Sequence, residues 1–176
     1  IALEGVLTAG MDQDSTGLDV RVDVGAILVI EGGDREERTS VVLALLGRLP
    51  VTAGRCKVAG LVLPTRASSA RARTAVVLLD RNEHPVRSLL DAALDGPTIL
   101  GIDGADTVAD DSIRTEIREL LTEARTGAEA RDGDPMTLLV ACSSSDSVRD
   151  LLPAGVDVHV VTLGRTTPTA EPARSG

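Results

Sequence analysis

The sequence predicts an α/β fold with a mostly parallel sheet, flanking helices and an N-terminal antiparallel strand pair. Several short runs of aliphatic and β-branched residues contain no polar position, which is typical of strands buried on both faces. Amphipathic stretches alternate with these runs, and that order favours parallel β-α-β units. A length of 176 residues usually makes one domain. We therefore expect a single core domain over residues 1–163 and a disordered tail over residues 164–176.

The first half of the chain predicts strands, a hairpin and one helix. Residues 18–24 alternate apolar and polar side chains, which indicates a half-exposed, antiparallel strand. Residues 26–30 are all apolar and predict a buried strand, and a turn-rich segment leads from it into a helix that Pro50 ends. In order, the predicted elements are a strand over 2–8, strands over 18–24 and 26–30, a helix over 39–49, and a hairpin of 54–59 and 61–63 that turns at Gly60.

The second half alternates further buried strands with helices. Its clearest helix covers residues 110–126, because Ile113, Ile117 and Leu121 fall on one face. The sequence also predicts, in order, a loop over 64–73, a strand over 74–79, a helix over 84–94, a strand over 98–102, a polar connection over 127–135, a strand over 136–142, a helix over 147–152 and a strand over 156–163. The buried strands and intervening helices together predict the α/β fold.

Charge and composition exclude two classes of function. The chain has 18 basic and 27 acidic side chains, a net charge of −9, and no Phe, Tyr or Trp. Nucleic-acid-binding domains normally present a basic face, and many stack bases on aromatic rings, so no nucleic-acid partner is expected. No apolar run approaches the length of a membrane span, so direct membrane insertion is not expected either.

The two cysteines and two histidines predict neither a disulfide nor a zinc site. Cys56 and Cys142 lie in or beside apolar runs, which favours buried free thiols in a reducing compartment. His84 and His159 have no Cys or His partner at the spacing of zinc ligands. These features predict a cytoplasmic protein.

A buried strand followed by a glycine-bearing turn and a helix is the setting of a P-loop, with the pattern G-x-x-x-x-G-K-[ST]. In that motif backbone N–H groups and the helix N-terminus hold phosphate, the lysine contacts phosphate oxygens, and the hydroxyl binds magnesium. Placing Gly32 at the first glycine puts Glu37 at the second, Arg38 at the lysine and Thr39 at the hydroxyl. Residues 32–40 thus have the strand–turn–helix context of a P-loop but only part of its residue pattern.

Along its whole length the chain resembles the nucleotide-binding domain of ABC transporters. The segments that carry the resemblance are the strand pair at 17–30 before the P-loop, the helix at 41–49, the turn Pro50-Val-Thr-Ala-Gly-Arg55, the short strand at 58–60, the Walker B strand Thr98-Ile-Leu-Gly-Ile-Asp103, the strand at 136–144 that leads to the switch histidine, and the closing strand at 158–165. The turn after Pro50 has one residue more than the family's P-x-x-G turn. The resemblance implies a P-loop NTPase-like fold.

The same resemblance implies a nucleotide site and a metal site. The nucleotide-site residues would be Gly32, Gly33, Arg38, Thr39 and Ser40. Thr39 and Asp103 would hold magnesium, and the cofactor of an active site would be Mg-ATP.

The P-loop positions depart from the family's pattern. Glu37 brings a side chain and a negative charge to the second glycine, where we expect a positive φ. Arg38 replaces the lysine with a longer, planar group. The chain's one lysine, Lys57, lies in the strand that follows and cannot substitute for it. These changes predict weak or absent phosphate binding, most clearly if an acidic side chain fills the phosphate hollow.

The catalytic positions depart as well. Gly104 follows Asp103, where the family has the glutamate that activates water. Ser143 occupies the switch-histidine position, and Asp80 lies near the Q-loop glutamine. No L-S-G-G-Q-like signature occurs between Arg38 and Asp103, so the helical subdomain is expected to be absent or reduced to residues 84–94.

Three hypotheses follow from these residues. The favoured one is a non-hydrolysing module without a bound cofactor, a regulatory or scaffolding partner of a membrane permease or of an intact ATPase, and so associated with the membrane through that partner. The alternative is an ABC transporter ATPase subunit in which Arg38 and Thr39 hold the phosphates of Mg-ATP. The third is a metal-dependent phosphate-handling domain built on Asp80 and Asp103, both at strand ends.

Overall fold

The computed structural model describes residues 1–11 and 15–164 as nine strands and four α-helices. The strands are β1 (Ala2–Thr8), β2 (Leu18–Arg21), β3 (Ile27–Gly32), β4 (Val51–Val58), β5 (Leu61–Leu63), β6 (Thr74–Leu78), β7 (Ile99–Asp103), β8 (Thr137–Cys142) and β9 (Val158–Leu163). The α-helices are α1 (Arg35–Leu45), α2 (Ala67–Arg71), α3 (Pro85–Leu94) and α4 (Asp111–Asp132). Short 3₁₀ segments cover Leu79–Arg81, Ala105–Thr107 and Ser145–Leu151.

The central sheet is parallel, which confirms the predicted fold class. Its five strands lie in the order β6-β7-β8-β3-β9. Strand β3 pairs with β8 on one side and with β9 on the other, so it is interior to the sheet. Since all five strands point the same way, their carboxyl ends share one edge, where ligands bind in open α/β sheets.

A second, antiparallel sheet contains four strands in the order β2-β1-β4-β5, and is therefore larger than the predicted strand pair. Its β4-β5 hairpin turns at Ala59 and Gly60, as expected for Gly60. Both residues have positive φ, at 49° and 77°, which suits the right-handed twist of a two-residue hairpin.

The hydrophobic core lies on both faces of the parallel sheet. Because successive side chains of a strand point to opposite faces, Leu28 and Ile30 face α1 and the antiparallel sheet, whereas Ile27 and Val29 face α3 and α4. Within the part of the chain that the structure describes, no helix is long and apolar enough to cross a membrane.

The first helix begins four residues earlier than predicted, at Arg35 rather than at residue 39. Asp34 is its N-cap, and the carboxylate accepts a hydrogen bond from the N–H of Glu37. Glu37 is therefore helical, and the positive φ expected there is wrong. The helix also ends earlier than predicted, at Leu45. Gly47, two residues later, has a left-handed φ of +73°, which turns the chain away from the helix axis.

Other boundaries differ from the prediction for local reasons. Helix α4 runs to Asp132, through part of the predicted polar connection, because the apolar stripe continues to the buried Ala128 and ends at a left-handed Gly133. The predicted loop at 64–73 contains the single-turn α2, and the predicted helix at 147–152 is the 3₁₀ segment Ser145–Leu151. Strand β2 ends at Arg21 instead of residue 24, and β4 begins at Val51 instead of residue 54. Residues 165–176 of the expected tail lie outside the described residues.

Candidate functional site

The candidate site lies at the carboxyl ends of β3, β7 and β8. The parallel register places Glu31 of β3 beside Cys142 of β8, and Asp103 of β7 beside Ala141 of β8. The turns that follow these strands therefore leave the sheet next to one another. At this edge lie Gly32 at the end of β3, Asp103 at the end of β7 and Ser143 directly after β8, each followed by its turn.

The turn between β3 and α1 is short. Gly32 and Gly33 both have positive φ, at 76° and 58°, which glycine adopts without strain. The N–H of Gly32 donates to the carbonyl of Ser143 at 3.3 Å, and the N–H of Glu37 donates to Asp34 Oδ1 at 2.8 Å. A carboxylate of the chain itself thus occupies the N-terminus of α1, where helices attract anions.

Arg38 faces the same turn. Its Nη1 donates to the carbonyl of Gly32 at 3.0 Å and to the carbonyl of Gly33 at 2.9 Å. Glu37 lies over the other side of the turn, since its carboxylate fills the space that a side chain at Gly33 would need. Ser15 donates to the Glu37 carboxylate at 3.4 Å. The turn is therefore closed by side chains of the chain itself.

The two proposed magnesium ligands meet. The hydroxyl of Thr39 donates to Asp103 Oδ2, and Asp103 is 4% exposed at the end of β7. Ser40 does not join them, because it packs against Gly10 and its hydroxyl lies 3.4 Å from that of Thr8. Of the five predicted nucleotide-site residues, Gly32, Gly33 and Arg38 thus form one hydrogen-bonded turn, Thr39 contacts Asp103, and Ser40 is buried between α1 and β1.

Gly104 leaves no space for a catalytic side chain in this backbone conformation. Its φ is +73°, and a Cβ built on it would lie 3.0 Å from the Cβ of Asp80 and 3.2 Å from its backbone nitrogen. A glutamate at this position would need both a left-handed backbone and a shift of Asp80. Gly104 therefore suits the left-handed turn after β7 and its close approach to Asp80.

Asp80, the other aspartate of the metal hypothesis, is engaged with arginines. Its side chain is 5% exposed and forms an ion pair with Arg35, and Arg81 Nε lies 3.9 Å from the same oxygen. Among residues 1–11 and 15–164, the structure contains no group of three or more His, Cys, Asp and Glu side chains that could hold a metal ion.

Ser143, which the resemblance placed at the switch-histidine position, belongs to a hydrogen-bond network. Asp106 Oδ2 accepts from the N–H of Ser143 at 2.8 Å and from its hydroxyl. Burial by itself raises the pKa of Asp106, but the hydrogen bonds from Ser143, a backbone hydrogen bond of Asp106 itself and the charge of Arg38 together hold that pKa below its ordinary value.

A second carboxylate joins the same turn. Glu31 accepts from the N–H of Ser145 at 2.7 Å and from the hydroxyl of Thr162 at 3.0 Å. The bond from Ser145 N–H is the main reason that the pKa of Glu31 is lowered. Both turn carboxylates are thus stabilised as anions by neighbouring N–H and hydroxyl groups.

Sequence reasoning missed the roles of two residues that shape the site. The N-cap role of Asp34 could have been found, because an aspartate three residues before Glu37 and followed by a helical segment is an N-cap signal. The bond of Asp106 to Ser143 could not, since the two residues lie 37 positions apart along the chain. The two cysteines are free and buried as predicted, and burial raises the pKa of Cys56 to about 11 and that of Cys142 to about 12.

Comparisons with known proteins identify the fold. No protein-family model and no curated protein matches this sequence. Three solved structures are similar to it. The first is cbiO1 from Clostridium perfringens, part of the ABC transporter complex cbiONQ, with 15% identity and a TM-score of 0.59 over 84% of this chain and 77% of that chain. The second is the bacterial ABC transporter cassette MJ0796 in its dimeric form, with 10% identity and a TM-score of 0.59 over 91% of this chain and 93% of that chain. The third is a bacterial Atm1-family ABC exporter with ATP bound, with 17% identity and a TM-score of 0.56 over 93% of this chain and 38% of that chain.

These identities are low, so the likeness concerns the fold and not the activity. The parallel sheet, the antiparallel sheet and the helix after β3 are the parts in which the sequence resembled this family. The resemblance is therefore confirmed at the level of structure: the chain has the fold of the ATP-binding cassettes of ABC transporters.

Proposed function

We propose that this chain is a non-hydrolysing ABC-cassette-like module that acts as a regulatory or scaffolding subunit of a protein assembly. The observation that carries the proposal is the closed β3-α1 turn. Asp34 holds the N-terminus of α1, and Arg38 donates to the carbonyls of Gly32 and Gly33. A P-loop offers free N–H groups and a cation to phosphate, whereas this turn directs both toward groups of its own.

The charge around the turn acts in the same direction. Four carboxylates and two guanidinium groups lie within residues 31–38, and one of the guanidinium groups, that of Arg35, pairs with Asp80. A triphosphate would carry several negative charges into this surplus of carboxylates, and repulsion between like charges would oppose its binding. Arg38 would have to leave the two carbonyls before it could contact phosphate.

Hydrolysis would lack its base. In the family that the sequence resembles, a glutamate after the Walker B aspartate activates water, and Gly104 occupies that position here. The carboxylates beside Gly104 belong to other interactions: Asp103 accepts from Thr39, Asp80 pairs with Arg35, and Asp106 accepts from Ser143. We therefore assign catalysis to no residue of this chain.

The proposal includes a protein partner and a place at the membrane. The similar protein cbiO1 is part of an ABC transporter complex, and MJ0796 forms a dimer. By analogy, we propose that this chain joins an assembly that contains a membrane permease or an intact ATPase, and that it is cytoplasmic and reaches the membrane through that partner. No bound cofactor is part of this proposal.

Calorimetric titration of the chain with Mg-ATP, followed by an assay of phosphate release, tests the proposal. We expect neither heat of binding nor turnover at millimolar nucleotide. Binding at micromolar concentration followed by turnover would overturn it. A supporting measurement is the melting temperature with and without Mg-ATP and Mg-ADP, which we expect to be unchanged because a ligand that does not bind cannot stabilise.

One observation favours the alternative function, an ATP-binding subunit with a variant P-loop. The contact between Thr39 and Asp103 keeps the hydroxyl and the carboxylate of a magnesium site together. In that case Mg-ATP would raise the melting temperature, and Arg38→Ala would abolish the shift. Ser40→Ala is the matched control, because Ser40 is buried against Thr8 and Gly10, away from the Thr39–Asp103 contact. An unchanged melting temperature in the wild type would end this alternative.

A further inference from the structure

Helices α3 and α4 enclose an apolar groove on the surface of the molecule. Two adjoining depressions of about 630 and about 220 Å³ share Leu90 as a wall. The apolar lining of this α3-α4 groove includes Val86, Leu90, Leu94, Ile113, Leu120 and Ala124. Leu90 is 42% exposed and Leu94 73% exposed.

This exposure distinguishes the groove from the rest of the helix layer. On the face of α3 that packs on the sheet, Leu89 is completely buried against the core. Leu90 and Leu94 lie one helical turn apart, so they form one continuous apolar strip along the groove. Neighbouring exposed leucines around a concave surface are typical of an interaction site.

The charges around the groove are mainly negative. Three carboxylates line it: Glu83, Glu116 and Glu123. Of the basic side chains in the lining, Arg87 pairs with Asp91 at 3.2 Å, and Arg131 lies at the far end of the groove beside Gly127. Within the described part of the chain, none of the three carboxylates forms an ion pair. The groove thus combines an apolar floor with an acidic rim.

We propose that the α3-α4 groove binds an amphipathic helix with basic flanks, supplied by a partner protein. This inference rests on the proposed function, because it names the surface through which the scaffolding module would contact its partner. A helix of this kind would place leucine-like side chains on the strip formed by Leu90 and Leu94 and its cations next to Glu116 and Glu123.

Charge decides between this occupant and a second copy of the chain. A twofold contact through the groove would bring two acidic rims together, on two chains that each carry a net charge of −9. Like charges that face each other oppose association, whereas a basic helix gains from the same rim. The groove extends along α4 from Ile113 to Gly127, which corresponds to about 20 Å of helix. A partner helix of about four turns would fill it.

A designed peptide provides a direct test. The probe is a helical peptide of about 18 residues with leucines on one face, lysines on the other and one tryptophan among the leucines. Because the chain contains no Trp or Tyr, the tryptophan emission belongs to the peptide alone. We expect a saturable blue shift with the wild-type chain, and an apparent Kd that rises with salt concentration because the rim contacts are electrostatic.

Two sets of variants locate the binding. Leu90→Ser combined with Leu94→Ser should raise the Kd about tenfold or more, as loss of central apolar anchors usually does. Val62→Ser is the matched control, since Val62 is a 54% exposed aliphatic residue on β5, outside the groove. It should leave the Kd unchanged. Glu116→Lys with Glu123→Lys should weaken binding of the lysine peptide and reduce its salt dependence.

Three results would overturn the inference. They are equal binding by the Leu90→Ser, Leu94→Ser variant and the wild type, equal binding of a peptide with glutamate in place of lysine, and a concentration-dependent dimer in sedimentation equilibrium that the leucine variant abolishes. The last result would make a second copy the occupant. The peptide test and the nucleotide test are independent. Turnover of Mg-ATP would overturn the proposed function whether or not the peptide binds. Equal peptide binding by the wild type and the leucine variant would overturn only the assignment of the groove.

Discussion

The interior strands of the parallel sheet and the turns that follow them obey different constraints. Strands β7 and β8 are buried at every position, and β3 is buried from Ile27 to Ile30. The turns at their carboxyl ends are polar, and neighbouring side chains close them: Asp34 accepts from Glu37, Asp80 lies against Gly104, and Asp106 accepts from Ser143. Burial of apolar side chains therefore governs the strands, whereas hydrogen bonds and close contacts of polar side chains govern the turns.

The strongest test of this comparison is a cavity in the sheet. Leu139 of β8 is completely buried in the cluster that includes Leu28 and Val42. Leu139→Ala should lower the free energy of unfolding by about 2–5 kcal/mol, because the buried atoms are lost and a cavity remains. The measurement is urea unfolding at neutral pH.

Leu94→Ala is the matched control, since Leu94 is 73% exposed. It should change the free energy of unfolding by less than about 0.5 kcal/mol. If both alanine variants lost the same stability, packing of the parallel sheet would not be what holds this fold together.

The turn after β7 gives the next largest effect. Gly104→Ala should destabilise by about 1–3 kcal/mol, because alanine in a left-handed conformation is strained and its Cβ would crowd Asp80. Gly133→Ala isolates the backbone part, since Gly133 has a φ of +79° and no neighbouring atom within 4 Å of an added Cβ. The difference between the two variants in urea unfolding measures the contact with Asp80. Equal losses would mean that Asp80 moves aside freely.

Most of the sheet could be predicted from the sequence because hydrophobic periodicity reports burial directly. The all-apolar stretch 26–30 predicted a buried strand and the alternating stretch 18–24 a half-exposed antiparallel strand, and β3 and β2 occupy these regions. The start of α1 was misplaced because Arg35, Glu36 and Glu37 carry no apolar periodicity. Their helical state depends on the Asp34 cap, a local hydrogen bond that hydropathy does not show.

The sequence could predict the part of the candidate site that the parallel sheet brings together, but not the side-chain contacts within the turns. Thr39 and Asp103 could be expected together, because the carboxyl ends of parallel strands meet at one edge of the sheet and α1 begins at that edge. The hydrogen bonds from Arg38 to the carbonyls of Gly32 and Gly33 depend on the rotamer of the Arg38 side chain. The hydrogen bond from Ser143 to Asp106 joins segments that are distant along the chain. Neither leaves a pattern in a single sequence.

A smaller effect is expected at the closed β3-α1 turn. Asp34→Ala should lower the free energy of unfolding by about 1 kcal/mol, because the N–H of Glu37 loses its acceptor at the helix N-terminus. Asp34→Asn should lose less, since the amide oxygen can still cap the helix. Thermal unfolding of the three proteins at neutral pH measures the difference. If alanine and asparagine gave the same loss, the hydrogen bond to Glu37 would contribute little to the closed turn.

The turn after β8 gives the smallest effect, and pH reveals it. The pKa of Asp106 is lower in the folded chain, so its carboxylate stabilises the fold above the unfolded-state pKa of about 4. That stability is lost as the pH falls through the lower folded-state pKa.

We therefore expect Asp106→Asn to reduce the melting temperature at pH 7 and to converge with the wild type on acidification. Ser143→Ala should show a smaller change of the same sign, because the Ser143 N–H still donates to Asp106. The lowered pKa values of Glu31 and Asp150 remain in all three proteins and cancel in the comparison. If the differences in melting temperature among the three proteins stayed constant from pH 7 to about pH 3, the hydrogen bonds of Ser143 would not stabilise the charged form of Asp106.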